Sequence, residues 1–229
     1  MALGWLCGGC QIVEPVLEVP GSIIDRWRHP PSEWARDMED PNYPDKRREG
    51  INGLVKYDFG RHGVYLQRYR QIAESDPDFT VRAAAIRALN RSRDAQATPI
   101  FIKAMNDDSE LVRLEAAKAL ANVPDAKAAP VLIQHLQPRY VTGRQVRKGS
   151  DFGPEQRDES KDVRIAAADA LKHYRAIDVA RALAAELDQR EFAIAWQSRL
   201  SLMRLTNKDF GYSETAWLAY LTGPEKPFG

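Results

Sequence analysis

The chain has 229 residues, of which 44% are hydrophobic and 28% charged, a balance typical of a folded protein and too polar for one embedded in a bilayer. Its 33 basic and 32 acidic side chains nearly cancel, so the whole molecule has no strong field that would draw it to nucleic acid or to an anionic membrane. No run of 18 apolar residues occurs, and the sequence therefore predicts no transmembrane helix.

The N-terminal stretch MALGWLCGGC contains the two cysteines of the chain, Cys7 and Cys10. The C-x-x-C spacing is typical of redox pairs, but proline-rich sequence follows it, and no second pair completes a zinc site. The stretch also resembles the end of a bacterial lipoprotein signal, which implies lipid on Cys10 and a place in the cell envelope. An ordinary N-terminus would instead leave the protein in the cytoplasm, and both interpretations stay open.

Prolines dominate the next segment, where six of them occur between Pro15 and Pro44 together with Trp27 and Trp34. This composition favours extended chain pinned by aromatic side chains over regular structure. Residues 1–44 are therefore predicted to form an extended N-terminal segment.

A nine-residue pattern then recurs, as VRAAAIRAL at Val81, VRLEAAKAL at Val112 and VRIAAADAL at Val163. The intervals are 31 (112 − 81) and 51 (163 − 112) residues, so one repeat contains an insertion. A degraded copy, IAWQSRLSL, begins at Ile194, and a weaker opening copy, KRREGINGL, begins at Lys46. A period of this length indicates a solenoid.

Each copy is an amphipathic pattern of good helix formers, and a second helical pattern lies between successive copies. A repeat is therefore predicted to be a helix pair, A followed by B. The fold class is all-α, with about four to five pairs over residues 45–205, an insertion near 138–157 and a capping segment at 206–229.

Turn chemistry precedes the copies. Asp76 and Asp107 are predicted as helix N-caps, the former before Pro77 and the latter three residues before Glu110. In three copies an aspartate precedes an arginine by six residues, which predicts charge-assisted contacts along the stack. The paired residues are Asp76 with Arg82, Asp107 with Arg113, and Asp158 with Arg164.

The segments DPDFTVRAAAIRAL, DDSELVRLEAAKAL and DESKDVRIAAADAL resemble HEAT repeats, specifically the short HEAT-like variety associated with phycobilisome bilin lyases. This resemblance implies an armadillo-like, right-handed α-solenoid. It also implies that the six residues above form a ladder and that helix B lines the concave face. The fourth copy has Gln189 and Ala195 in the ladder places, so the ladder is expected to stop before it.

The sequence offers no catalytic, cofactor-binding or metal-binding motif. Proteins with related repeats include deoxyhypusine hydroxylases, which bind iron through His-Glu dipeptides, and none of the four histidines here precedes a glutamate. Neither G-x-S-x-G nor H-E-x-x-H occurs. We therefore predict a protein that is not an enzyme and needs no cofactor.

The predicted function is a scaffold that binds a protein or peptide through the concave helix-B face. Outward positions on the helical wheel give the predicted contact residues: Arg87, Lys118, Asp169, Trp196 and Leu200. For Trp196 two interpretations compete, a binding anchor and a position covered by Phe210 and Trp217 of the closing segment.

Two other functions remain as alternatives. The resemblance to bilin lyases implies a cofactor-handling enzyme subunit, while the basic residues of the insertion suggest nucleic-acid binding. Acidic residues close to those arginines and the near-zero net charge favour a solvated loop over the second alternative. The basic and aromatic residues concerned are Arg139, Tyr140, Arg144, Arg147 and Lys148.

Overall fold

The computed structural model describes residues 29–148, 151–224 and 228. Cys7, Cys10 and Trp27 lie outside these ranges, so the prediction of lipid on Cys10 stays a prediction. Within the described ranges, no helix is both long enough and apolar enough to cross a membrane.

The described chain forms helix pairs, as the repeat predicts. The A helices are α1 (Pro31–Met38), α3 (Gly63–Ser75), α5 (Thr98–Ala104), α7 (Ala129–Leu136) and α9 (Ile177–Ala185), and the B helices are α2 (Pro44–Leu54), α4 (Phe79–Arg91), α6 (Glu110–Asn122), α8 (Lys161–Leu171) and α10 (Phe192–Thr206). A final helix, α11 (Glu214–Thr222), follows the fifth pair. Each B helix packs on the next B helix along the chain, from α2 through α10. The prediction of an all-α solenoid is confirmed.

Alanine allows the B helices to approach one another closely. The residues Ala84, Ala116 and Ala167 are buried, and Leu89, Leu120 and Leu171 at the end of each nine-residue copy have no exposed surface. Small side chains lower the thickness of a helix face, so that a neighbouring helix can pack against it at short range. The recurring nine letters are thus the sequence of one helix that must touch both of its neighbours in a stack.

The first helix pair lies partly in sequence that was expected to be extended, and that expectation is wrong for Pro31–Met38. Pro31 and Pro44 each occupy the first turn of a helix, where proline costs no backbone hydrogen bond. The two helices cross at Gly50, where an added Cβ would lie 2.4 Å from the Met38 nitrogen. The solenoid therefore begins at Pro31 instead of residue 45.

The helix caps differ from the predicted ones. Asp78 caps α4 by accepting hydrogen bonds from the Thr80 and Val81 nitrogens, and Ser160 caps α8. Asp76 and Asp107 instead accept from the backbone nitrogens two residues later, those of Asp78 and Ser109. Both aspartates therefore stabilise the A-to-B turn, while their outer carboxylate edges face the neighbouring repeat.

The insertion is a β-hairpin between α7 and α8. Strand β1 (Arg139–Lys148) pairs antiparallel with β2 (Asp151–Asp158), and the register places Arg139 opposite Asp158. A bulge between Val141 and Gln145 interrupts the pairing. Sequence reasoning favoured a solvated loop, but Tyr140 at the base of the hairpin is almost completely buried.

The closing segment covers the A side of the last pair. Helix α11 packs on α9 through the buried Trp217, whose ring meets Phe210 edge to face at 5.0 Å. Trp196, on the other side of α10, remains 44% exposed. The interpretation that Phe210 and Trp217 cover Trp196 is therefore wrong.

Candidate functional site

Arginines of successive B helices each bind an acidic side chain in the next A-to-B turn. The bidentate guanidinium–carboxylate contacts of Arg47 with Asp76 and of Arg82 with Asp107 have distances of 2.8 to 2.9 Å. Arg113 and Arg164 continue the series on α6 and α8. The four pairs are Arg47 with Asp76, Arg82 with Asp107, Arg113 with Glu159, and Arg164 with Glu186.

Each ladder arginine also holds the turn of its own repeat. Arg82 donates from Nη1 to the Asp76 carbonyl oxygen at 2.9 Å, and Arg113 donates in the same way to the Asp107 carbonyl oxygen. The planar guanidinium has donors enough to bind a carboxylate and a carbonyl together. One side chain therefore joins two successive turns, which fixes the spacing between repeats.

The acid of the third pair is Glu159, not the predicted Asp158. Asp158 ends strand β2, is exposed, and binds the exposed Arg139 across the base of the hairpin at 2.9 Å. The neighbouring Glu159 is buried and accepts two donors of Arg113, with the shortest distance 2.9 Å. The hairpin shifts the turn by one residue relative to the earlier repeats, so the longer glutamate takes the place predicted for Asp158.

Glu159 is also the centre of a buried cluster at the base of the hairpin. Its second oxygen meets His135 Nδ1, and Arg113 lies over the Tyr140 ring at 5.1 Å. Burial opposes ionisation of Glu159, but hydrogen bonds from His135 and Arg113 outweigh it and lower the pKa of this carboxyl below its ordinary value. Within the described structure, His135 Nε2 is buried without a hydrogen-bond partner.

The last pair has the opposite electrostatic balance. Arg164 donates to Glu186 at 2.7 Å and to the Leu136 carbonyl oxygen at 2.9 Å. Burial raises the pKa of Glu186, and its contact with Arg164 offsets this effect only in part. Glu186 ends the ladder in the turn just before Gln189, and Ala195 occupies the arginine place of the following helix.

On the B-helix face, the predicted contact residues form looser contacts. Arg87 and Lys118 approach the same carboxylate, that of the buried Glu115, at 3.2 and 3.4 Å. Asp169 accepts from Lys172 at 2.6 Å and from Gln197 at 2.9 Å. Sequence reasoning missed Glu115, although its place three residues before Lys118 on a helix is a signal for an ion pair.

A groove runs between α6 and α8 on this face. Its volume is about 380 Å³, with apolar walls from Leu114 and Ile165 and charged ones from Lys118 and Asp169. Roughly half of the Lys118 side chain is accessible to solvent. The groove therefore offers an apolar floor with one cation, Lys118, and two anions, Asp162 and Asp169, at its sides.

Trp196 and Leu200 lie further along, on α10, and do not line this groove. They are 44% and 38% exposed, and Phe192 on the same helix is 64% exposed. The Trp196 ring lies 6.0 Å from that of Phe192, and Phe192 lies 5.9 Å from Tyr212. The five predicted contact residues therefore divide into a charged group on α4, α6 and α8 and an apolar group on α10.

The hairpin arginines are engaged within the protein. Arg144 and Arg157 both donate to Asp108 in the turn before α6, and Arg157 also donates to Glu155 at 3.0 Å. The side chains of Arg147 and Lys148 lie outside the described part of the structure. Arg144 and Arg157 thus dock the hairpin on the preceding repeat, a geometry that gives no support to nucleic-acid binding.

Among the residues that the structure describes, no three His, Cys, Asp or Glu side chains are arranged to hold a metal ion.

Stacked helix pairs, joined by one arginine per repeat, define an α-solenoid of HEAT repeats. Residues 66–145 match the family model of HEAT repeats, so this part of the chain consists of HEAT repeats. No curated protein matches its sequence.

Solved structures share the fold. The complex of CpcE and CpcF of phycocyanin lyase from Nostoc sp. PCC7120 contains a chain that is 20% identical, with a TM-score of 0.62, and the match covers 83% of this chain and 68% of that one. An engineered protein has 15% identity and a TM-score of 0.53 over 77% of this chain and 79% of its own. The protein YibA of Escherichia coli has 18% identity and a TM-score of 0.58 over 79% and 62%. At these identities the likeness concerns the fold alone.

Proposed function

We propose that this protein is a non-catalytic HEAT-repeat scaffold that binds a protein or peptide through its concave B-helix face. The observation that carries the proposal is the groove between α6 and α8, whose apolar floor and opposite charges suit an amphipathic segment. Arg87 extends the charged side of the groove onto α4.

The ladder supports this proposal because it separates the structural arginines from the cations of the B-helix face. In our proposal, Arg82 and Arg113 are structural residues that hold the repeats in register, because their guanidinium groups bind buried or half-buried carboxylates and backbone oxygens at once. Arg87 and Lys118 have a large exposed fraction and share a single carboxylate. A partner carboxylate is able to bind both cations beside Glu115, since each of them has more donors than the single contact it makes with that carboxylate.

The partner is therefore expected to be a helix or extended segment with apolar side chains for Leu114 and Ile165 and an acidic group for Lys118. Such a segment gains most of its affinity from the apolar contacts, while the charges fix its register. The apolar group on α10 is a separate part of the same face.

The experiment is affinity capture of native-cell proteins on wild-type protein and on two charge-reversed variants. Lys118→Glu changes the groove, whereas Lys127→Glu changes an exposed cation on the turn between α6 and α7. We expect Lys118→Glu to lose a specific protein that both wild type and Lys127→Glu retain. Identical captures from all three proteins would contradict the proposal.

The competing function is that of a bilin-handling lyase subunit. The structural likeness to the phycocyanin lyase chain suggests it. Fold likeness does not carry function, since one fold serves many activities. Incubation with an open-chain tetrapyrrole followed by absorbance of the purified protein separates the two. One bound chromophore per chain would contradict the scaffold proposal and favour the lyase subunit.

A further inference from the structure

The last B helix has an exposed apolar stripe. Phe192, Trp196 and Leu200 follow one another at intervals of four residues, so they lie along one side of α10. Tyr212 from the following loop extends the stripe, and Arg199 lies over its ring at 5.1 Å. These four apolar residues are called the end patch below.

Comparison with the preceding B helix identifies what the end patch faces. On α8, Ala168 accepts a hydrogen bond from Ser201, and Asp169 accepts one from Gln197, so this side of α8 faces α10. Ile165 lies one helical turn before these two residues and on the same side. Trp196 is the equivalent of Ile165 in the fourth copy of the nine-residue pattern.

The equivalents of Trp196 are less exposed in the earlier repeats. Ala83 on α4 is fully buried, and Leu114 and Ile165 are half-buried, each on a helix that is followed by another B helix in the stack. Beyond α10, the described residues supply only the loop that carries Tyr212. At the Trp196 position the last repeat thus presents a larger side chain than any earlier repeat, and among the described residues no B helix follows to cover it.

We propose that a second copy of this chain covers the end patch, with α10 antiparallel to its counterpart about a two-fold axis near Ser198. This arrangement is inferred from the sizes of the side chains along the stripe. The bulky Phe192 and Trp196 lie in the N-terminal half of the stripe, and the smaller Leu200 and the half-buried Met203 lie in its C-terminal half.

An antiparallel arrangement places each large side chain opposite a small one. Trp196 of one protomer meets Leu200 of its partner, and the axis repeats this pair on its other side. Phe192 lies opposite the turn that carries Met203 and Arg204. A parallel arrangement would set Trp196 against Trp196 and leave Leu200 opposite Leu200, with overlap at one point and a gap at the other. The stripe is self-complementary only when it is reversed.

The charge next to the stripe is already neutralised. Arg199 donates to both carboxylate oxygens of Asp209, at 3.0 Å for the longer contact, and its other face covers Tyr212. Burial of the stripe against a second copy therefore leaves Arg199 with its carboxylate, and so avoids the cost of burying that charge unpaired. Aromatic residues at the centre of an interface are also those that contribute most to affinity.

The test is sedimentation velocity of the full chain over a concentration series. We expect wild type to dimerise and Trp196→Ala to raise the dissociation constant at least tenfold. At a concentration where both proteins are monomeric, their melting temperatures should be similar, because the side chain is half exposed. Phe59→Ala is the matched control, since Phe59 is an exposed aromatic residue, 46% exposed, on the turn between α2 and α3. Its dimerisation should equal that of wild type.

The register has its own test. Leu200→Trp alone sets two large side chains against each other and Trp196→Leu alone leaves a gap, so each should weaken the dimer. The double variant exchanges large and small across the axis and should restore dimerisation to within about threefold of wild type. Lys118→Glu, which tests the groove, should leave dimerisation unchanged.

Three results would overturn the proposal. A monomeric wild type at all concentrations would remove the second copy as the occupant. An equal loss in Phe59→Ala would indicate head-to-tail association of the two ends of the solenoid. Failure of the double variant to recover would exclude the antiparallel register.

Discussion

The turn edge of this solenoid is formed by the ladder arginines and the acids of the A-to-B turns. It uses the same residue types at the same period as the B-helix face, yet the contacts of the two regions differ. On the turn edge, Arg113 and Glu159 are 7% and 0% exposed and share several hydrogen bonds. On the B-helix face, Arg87 is 47% exposed and makes one contact of 3.2 Å. Burial, and not the presence of an ion pair, separates the side chains that hold the repeats together from those that are able to bind a partner.

The largest expected effect lies at the centre of the turn edge. Glu159→Ala leaves the Arg113 guanidinium buried without its carboxylate and removes the hydrogen-bond partner of His135. We expect a loss of about 3 to 5 kcal/mol in the free energy of unfolding, the range found when one partner of a buried ion pair is removed. Urea denaturation measures it. A loss below about 1 kcal/mol would mean that water reaches the cluster and that the two regions differ less than their burial indicates.

A smaller effect is expected at Asp107, where the ion pair with Arg82 is only partly buried. Asp107→Ala removes two contacts with Arg82 and one with the Ser109 nitrogen. The expected loss is about 1 to 3 kcal/mol, because the freed donors regain some water. Asp58→Ala is the control, since Asp58 is 85% exposed and binds the nearby Arg61 and His62. Equal losses in the two variants would remove the ladder as the cause.

Sequence reasoning located the ladder arginines but not all of their acids. Arg82, Arg113 and Arg164 recur at the second position of each copy, and helix periodicity fixes where such residues lie. The acids belong to turns, whose length is free to vary. The hairpin moves the third turn by one residue, which favours Glu159 over Asp158, and the fourth turn supplies Glu186 although the helix after it has no ladder arginine.

The B-helix face was predicted from a helical wheel with mixed success. Arg87, Lys118 and Asp169 are exposed or half-exposed at the expected register, whereas Ala83, one helical turn before Arg87, is buried. A wheel gives the direction of a side chain but not the distance to the next helix in the stack. Alanine packs under that neighbour, while a longer charged side chain extends past it into solvent.

Acid titration should separate the two ends of the ladder. The pKa of Glu159 is lowered in the folded protein, so its contribution to stability is present above the ordinary glutamate value of 4.5 and declines as the pH falls through the folded value. The pKa of Glu186 is raised, so the folded protein retains this proton longer, and stability declines as the pH rises above 4.5 toward the folded value.

Glutamine variants test these opposite signs. Between about pH 3 and pH 7, the stability of wild type relative to Glu159→Gln should increase with pH, and that relative to Glu186→Gln should decrease. Thermal unfolding at several pH values measures both. The same sign in the two variants would show that Arg164 offsets the burial of Glu186 as fully as Arg113 and His135 offset that of Glu159.

The smallest effect is expected at Asp158, the residue just before Glu159, where the largest is expected. Asp158 and its partner Arg139 are 81% and 70% exposed, so the carboxylate keeps most of its water and the ion pair contributes little. Asp158→Ala should change the free energy of unfolding by no more than about 0.5 kcal/mol, as surface substitutions generally do. Urea denaturation beside Glu159→Ala measures the contrast between two adjacent acids. A loss above about 1 kcal/mol at Asp158 would mean that the hairpin base is closed by this surface pair, and that burial alone does not divide the structural charges from the available ones.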